Sequence, residues 1–127
     1  MGQPVQEQDI VRIITEPEFK AALIANLDQW CDLGAYDFVT GPGRSGAICA
    51  VYVSHLVGLP FVPFKHKPPT LKSVIVCDTA RESGATMRKA LRFYKDYYPA
   101  ELVVFEEPPR VAFWYEAEKP QRYRHER

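Results

Sequence analysis

Val74-Ile75-Val76-Cys77-Asp78-Thr79-Ala80-Arg81-Glu82-Ser83-Gly84-Ala85-Thr86 is the stretch that decides the fold. Ser73 to Cys77 reads as a strand, and its unbroken apolar run suits the interior of a parallel sheet. Residues 78–84 read as a loop. Residues 85–98 read as an amphipathic helix, with Met87, Ala90, Leu91 and Tyr94 on one face and Pro99 as its stop. The backbone N–H groups of residues 82–86 then lie at a helix start, where unpaired donors and the helix dipole suit a phosphomonoester. Gly84 lets the backbone approach a phosphate closely, and Ser83 and Thr86 add hydroxyl donors. Asp78 at the strand tip can face a ribose hydroxyl pair or a hydrated metal ion. The same residues also fit an ordinary strand-to-helix turn in which Asp78 or Ser83 only caps a helix.

Outward from this stretch, strands and helices alternate. Residues 10–14 form a short apolar run suited to an edge strand. Thr15-Glu16-Pro17-Glu18 reads as a capped helix start. Phe19, Ala22, Leu23, Leu27, Trp30 and Cys31 recur at helical spacing, and Gly34 is placed to end that helix. Residues 36–40 read as a strand, residues 41–46 (Gly-Pro-Gly-Arg-Ser-Gly) as a glycine-rich turn, and residues 47–57 as a helix apolar almost all round, closed by Gly58. Residues 59–64 read as a strand, 65–72 as a basic loop, and 102–105 and 111–115 as further apolar strands. Residues 1–9 form a loose arm, and a charged tail begins at Glu116. Such alternation predicts a largely parallel, twisted sheet covered on both faces, with ligands outside the carboxyl ends of its strands.

The 127 residues fit one domain, 1–127, and 46% apolar with 25% charged residues is an ordinary globular mix. Sixteen basic residues balance sixteen acidic ones, so bulk attraction to nucleic acid or an anionic membrane is not implied. Arginines in the 119–127 tail are too few to carry nucleic-acid binding. No apolar run is long enough to span a bilayer, and residues 1–9 lack the apolar core of a secretory signal. Cys31, Cys49 and Cys77 read as buried thiols in a reducing compartment, so a cytoplasmic location is expected.

Residues 74–86 resemble the phosphoribosyl-pyrophosphate motif of the type I phosphoribosyltransferases: an apolar strand, two acidic residues, and a loop ending in Thr-Gly-x-Thr. Asp78 takes the first acidic place, Thr79 stands at the second, and Glu82 takes the acidic place before Ser83-Gly84-Ala85-Thr86. Residues 39–47, Val-Thr-Gly-Pro-Gly-Arg-Ser-Gly-Ala, are similar to the pyrophosphate loop of the same family. The order of the two loops, the Tyr36-Asp37-Phe38-Val39 lead-in and the Gly58-Leu59-Pro60-Phe61-Val62-Pro63 segment agree. The resemblance covers roughly residues 15–115 and is best with small xanthine-guanine and hypoxanthine members.

The resemblance implies a three-layer, Rossmann-like α/β fold with a minimal hood. It implies an enzyme that joins a nucleobase to C1 of phosphoribosyl pyrophosphate with Mg²⁺ and releases pyrophosphate. Arg44, Ser45, Gly46 and Lys65 would meet the diphosphate, and Asp78 would hold the ribose or its metal ion. Thr79, Glu82, Ser83, Gly84, Ala85 and Thr86 would complete the sugar-phosphate cradle. Glu82 is the candidate general base, or else a solvated loop carboxylate. Lys65 sits with His66 and Lys67 in what is either a diphosphate-reaching loop or a solvated basic turn. Purine-specific members carry a lysine after the strand matching 102–105. Here Glu106-Glu107 stands there, and a carboxylate accepts hydrogen bonds and suits a base that presents an amino group. Phe113, Trp114 and Tyr115 either stack on the base or form a buried strand beside a homodimer contact. Relatives have a long mobile loop before the motif strand, whereas here only residues 65–72 fill that interval. The catalytic reading competes with a second one, a non-catalytic module that senses phosphoribosyl pyrophosphate or a nucleotide and contacts a partner.

Overall fold

The computed structural model of the chain describes residues 12–81, 83–106 and 111–116. Glu82, Glu107, the 1–9 arm and the 119–127 tail, each given a role or character above, lie outside the described residues. A short strand β1 (Arg12–Ile14) leads into helix α1 (Glu16–Leu27). Thr15 caps α1 by accepting the Glu18 N–H at 3.2 Å, an interaction worth about 1 kcal/mol. The Glu18 side chain turns instead to Arg12 at 2.5 Å, so only half of a capping box forms. The helix ends at Leu27 with Asp28 as C-cap, six residues before Gly34. The Asp28 N–H already bonds to the Ile24 and Asn26 carbonyls, and Gln29 bonds Asn26, which tightens and closes the last turn without a glycine.

Strand β2 (Phe38–Thr40) is followed by helix α2 (Gly43–Val57), capped by Gly58. Strand β3 (Val74–Ala80) runs three residues past the sequence expectation, so Asp78, Thr79 and Ala80 belong to the strand. Helix α3 (Ala85–Phe93) stops before the predicted end at Tyr98, passing into a 3₁₀ turn Lys95–Tyr97. Strands β4 (Ala100–Phe105) and β5 (Val111–Phe113) follow, and Trp114–Glu116 forms a closing 3₁₀ turn. Strands β2, β3 and β4 make one parallel sheet in that order, with Phe38 opposite Val74 and Cys77 opposite Leu102. Residues 59–64 contribute only a parallel bridge between Val39 and Phe61, since Pro60 and Pro63 have no N–H to give a ladder.

Alternation along the strands builds two cores. Val39, Ile75, Cys77 and Leu102 pack with Phe19, Leu23, Cys49 and Val53 of α1 and α2. Phe38, Val74, Val76 and Val103 pack with Met87, Ala90 and Tyr94 on the α3 side. Helices therefore cover both faces of the sheet, as the alternating pattern predicts. The sides of α2 differ: Cys49, Ala50 and Val53 are buried, while Val51 and Leu56 are exposed, so the helix is not buried all round. Cys31 is likewise exposed and only Cys49 and Cys77 are buried, because α1 ends before Cys31. No helix among the described residues is long and apolar enough to cross a membrane.

Strands β1 and β5 form a separate parallel pair, Ile14 opposite Phe113, whose inner residues join the α1–α2 core. The loop at residues 63–72 is tied down rather than loose. Tyr94 Oη accepts the Lys65 N–H and donates to the His66 carbonyl, both at 2.9 Å. Tyr97 Oη donates to the Pro68 carbonyl at 3.0 Å, and the Lys67 ammonium lies 4.4 Å over the Phe93 ring.

Candidate functional site

Both glycine-bearing segments lie at the carboxyl ends of neighbouring parallel strands, β2 and β3. Residues 41–46 fold back on themselves and against the end of β3. A Cβ on Gly41 would stand 2.1 Å from the Gly46 carbonyl oxygen, and one on Gly46 would stand 2.7 Å from the Gly41 carbonyl carbon. Only glycine permits this approach, which sets Arg44 and Ser45 in the first turn of α2. Pro42 at the N-cap offers no side-chain acceptor to that turn.

In the second segment Asp78 is half-buried two residues before the end of β3, and its Oδ1 accepts the Thr79 N–H at 2.8 Å. The Thr79 side chain is buried. Gly84 caps α3 in the left-handed conformation, φ 84°, and the Ser83 hydroxyl accepts the Ala85 N–H at 3.2 Å. Thr86 is exposed. Two cations absent from the sequence reading flank this turn: Arg88 Nη1 donates to the Ser83 carbonyl at 3.4 Å and, like Arg81, lies close to Gly84.

The two segments are joined by a residue from the far end of the chain. Tyr115 Oη donates to Ser45 Oγ at 2.7 Å and lies 3.5 Å from Thr79 Oγ1. Burial raises its pKa to about 12, with the Glu116 and Asp78 charges adding to the rise, so the phenol is neutral across the physiological range. The Arg44 guanidinium lies 5.9 Å over the Tyr115 ring and 3.9 Å from Glu116 Oε2. Glu116 is 4% exposed, its Oε1 accepts the Phe113 N–H at 3.2 Å, and its Oε2 accepts no hydrogen bond. Glu116, expected to open a charged tail, is therefore a buried residue.

The outer residues are placed differently. Glu106 bonds Arg81 Nε at 2.8 Å, and Arg81 also pairs with Glu101. These hydrogen bonds, Glu106 first, raise the Arg81 pKa further and hold it charged. The parallel register, Ala80 opposite Phe105, brings that pair together. Phe113 is 3% exposed, edge-on to Phe19 and stacked on Tyr115 at 5.6 Å. Phe113 is thus part of a buried strand. Trp114 packs between Phe19 and Tyr52. Lys65 is anchored to Tyr94 through its backbone, in a left-handed conformation with φ 77°. No group of three or more His, Cys, Asp or Glu among the described residues could hold a metal ion by itself.

Solved structures share this architecture. The xanthine-guanine-hypoxanthine phosphoribosyltransferase of Helicobacter pylori superposes with a TM-score of 0.65 at 14% identity, over 86% of this chain and 94% of that one. The fold is that of the type I phosphoribosyltransferases. A purine phosphoribosyltransferase from Pyrococcus horikoshii gives 0.62 at 18% identity, over 81% and 92% of the two chains. The orotate phosphoribosyltransferase of Aeropyrum pernix gives 0.57 at 19%, over 79% and 73%. No protein-family model and no curated protein matches the sequence. Sequence reasoning placed both glycine-bearing segments after strands, although residues 43–46 belong to α2 and residues 78–80 to β3. It missed Tyr115 as their link, Glu116 as the partner of Arg44, and Arg81 as the partner of Glu106. The place of Tyr115 in the aromatic stripe, with Glu116 next to it, was the available signal.

Proposed function

We propose that the chain is a phosphoribosyltransferase that transfers the phosphoribosyl group of phosphoribosyl pyrophosphate to a nucleobase or base-like acceptor. The observation that carries this is the joining of residues 41–46 and the end of β3 through Tyr115, which brings together the two segments that resemble the family's ligand loops. In the reaction the bond from C1 to the diphosphate oxygen breaks and a bond from C1 to a base nitrogen forms. Positioning and charge stabilisation supply most of such catalysis. Arg44 and Ser45 take the departing diphosphate. Asp78 faces the ribose hydroxyls, and the α3 start with Ser83, Gly84, Ala85 and Thr86 takes the 5-phosphate. Glu82 is the base that receives the acceptor's proton.

Mg²⁺ fits the donor set at Asp78 as a substrate-borne ion, since it binds through one or two carboxylates plus substrate phosphates and keeps its waters. Held there, it would supply neutralising charge to the diphosphate. Acceptor recognition through Glu106 is recognition by an Arg81–Glu106 pair, because the carboxylate is already hydrogen-bonded. A cytoplasmic location goes with this reading.

The sensor reading draws on Thr79, whose hydroxyl is buried beside Tyr115 where the family has a second carboxylate, and on the pinned 63–72 loop. Calorimetric titration of phosphoribosyl pyrophosphate with Mg²⁺, followed by a pyrophosphate-release screen over a panel of bases, separates the two. Release with one base establishes the enzyme, and binding without release on any base establishes the sensor. Absence of binding removes both.

A further inference from the structure

The Tyr115 hydroxyl has one proton, and the 2.7 Å contact gives it to Ser45 Oγ. Its lone pairs then face Thr79 Oγ1, whose hydroxyl can donate to them across 3.5 Å. Ser45 has accepted a hydrogen bond and keeps its own proton for another acceptor. A chain directed from Thr79 through Tyr115 to Ser45 therefore ends in a hydroxyl donor in the first turn of α2, beside Arg44. Successive bonds in such a chain polarise one another and strengthen the terminal donor. The Tyr115 ring meanwhile lies under the Arg44 guanidinium. One side chain thus bears on both polar groups of the 41–46 loop, and both suit an anion.

We propose that Tyr115 is the positioning residue of the diphosphate loop, aiming the Ser45 hydroxyl at the ligand and seating Arg44 on its ring. This rests on the reading of residues 41–46 as the diphosphate-binding segment. Thr79 gains a role in the same step: where a carboxylate would stand, a hydroxyl starts the donor chain.

The test is titration of magnesium pyrophosphate and, separately, ribose 5-phosphate into the whole chain and its variants. Tyr115→Phe keeps the ring and removes the hydroxyl. It is expected to weaken pyrophosphate by about 2- to 10-fold, the range for one hydrogen bond, and to leave ribose 5-phosphate unchanged. Ser45→Ala is expected to give the same loss, and Tyr115→Phe with Ser45→Ala no more than Ser45→Ala alone. Thr79→Val, which keeps the side-chain shape, is expected to shift pyrophosphate in the same direction by less. Unchanged pyrophosphate affinity in Tyr115→Phe overturns the proposal. So does an equal loss for both ligands, which marks a structural role, or full additivity with Ser45→Ala. If the unaltered chain binds ribose 5-phosphate but not pyrophosphate, the reading of residues 41–46 fails before any variant is made, and the inference falls with it.

Discussion

Replacing Gly41 by alanine tests the close approach on which the site is built. The added methyl would stand 2.1 Å from the Gly46 carbonyl oxygen, 2.4 Å from the Gly46 carbonyl carbon and 2.7 Å from the Cys77 carbonyl oxygen. Carbon contacts are comfortable near 3.5–4.0 Å, so the overlap exceeds an ångström on atoms that belong to backbone. No side chain can rotate away. Relief requires the start of α2 to lift from the end of β3, across the buried Val39–Ile75–Cys77 core. Overpacking commonly costs about 1–3 kcal/mol, and backbone displacement puts this case beyond about 3 kcal/mol. That is a large share of the roughly 5–15 kcal/mol available to a domain. Gly34→Ala is the control: its Cβ meets nothing within 4 Å, so a change within about 0.5 kcal/mol is expected. Urea denaturation of the two variants measures the difference directly. If Gly41→Ala unfolds at the same urea concentration as Gly34→Ala, the fold-back of residues 41–46 is not as described and the placement of Arg44 and Ser45 fails with it.

Three further outcomes are expected. Tyr115 has its pKa raised to about 12 by burial, so the folded state favours the neutral phenol. Stability from that group is full below the unfolded value near 10 and is lost as pH rises from about 10 through 12, and Tyr115→Phe should flatten the alkaline unfolding curve over that window. With only Cys31 exposed and the Cys49 pKa raised by burial, a thiol reagent should modify Cys31 in the native protein and reach Cys49 and Cys77 only after denaturant is added. Tyr94→Phe removes the anchor of Lys65 N–H and His66 C=O. It should cost about 1–2 kcal/mol and speed amide hydrogen exchange at residues 63–68, with α1 unaffected.

What was legible in the sequence follows the range of the interactions. The strand-to-helix turn between β3 and α3 was readable because its signal is local: an apolar strand, Asp78, then Ser83-Gly84 opening a helix. Thr15 was readable as a cap for the same reason. The end of α1 was not, because its closing turn tightens at Asp28 through backbone bonds that any residue can make. The strand expected at 59–64 shrank to one bridge because prolines that mark a segment as extended also remove its donors. Glu106 looked free until strand register put Arg81 beside it. Tyr115 could be seen as aromatic but not as a link, since its partners Ser45 and Thr79 lie far back in the chain and meet it only in the folded molecule.

The β1–β5 pairing also has a consequence for assembly. Residues 38–105 hold the three-stranded sheet, α2 and α3, and each of its strand pairs closes over a shorter separation than Arg12 with Val111. Contacts that join distant parts of a chain carry the larger loop-closure entropy and tend to form late. The sheet and its helices can settle before β5 finds β1, while the hydroxyl of Tyr115 reaches Ser45 only afterwards. Residues up to Tyr115 must therefore be free to fold before the link to Ser45 can close, and the chain passes through a stage in which the sheet is formed but Tyr115 is not yet seated.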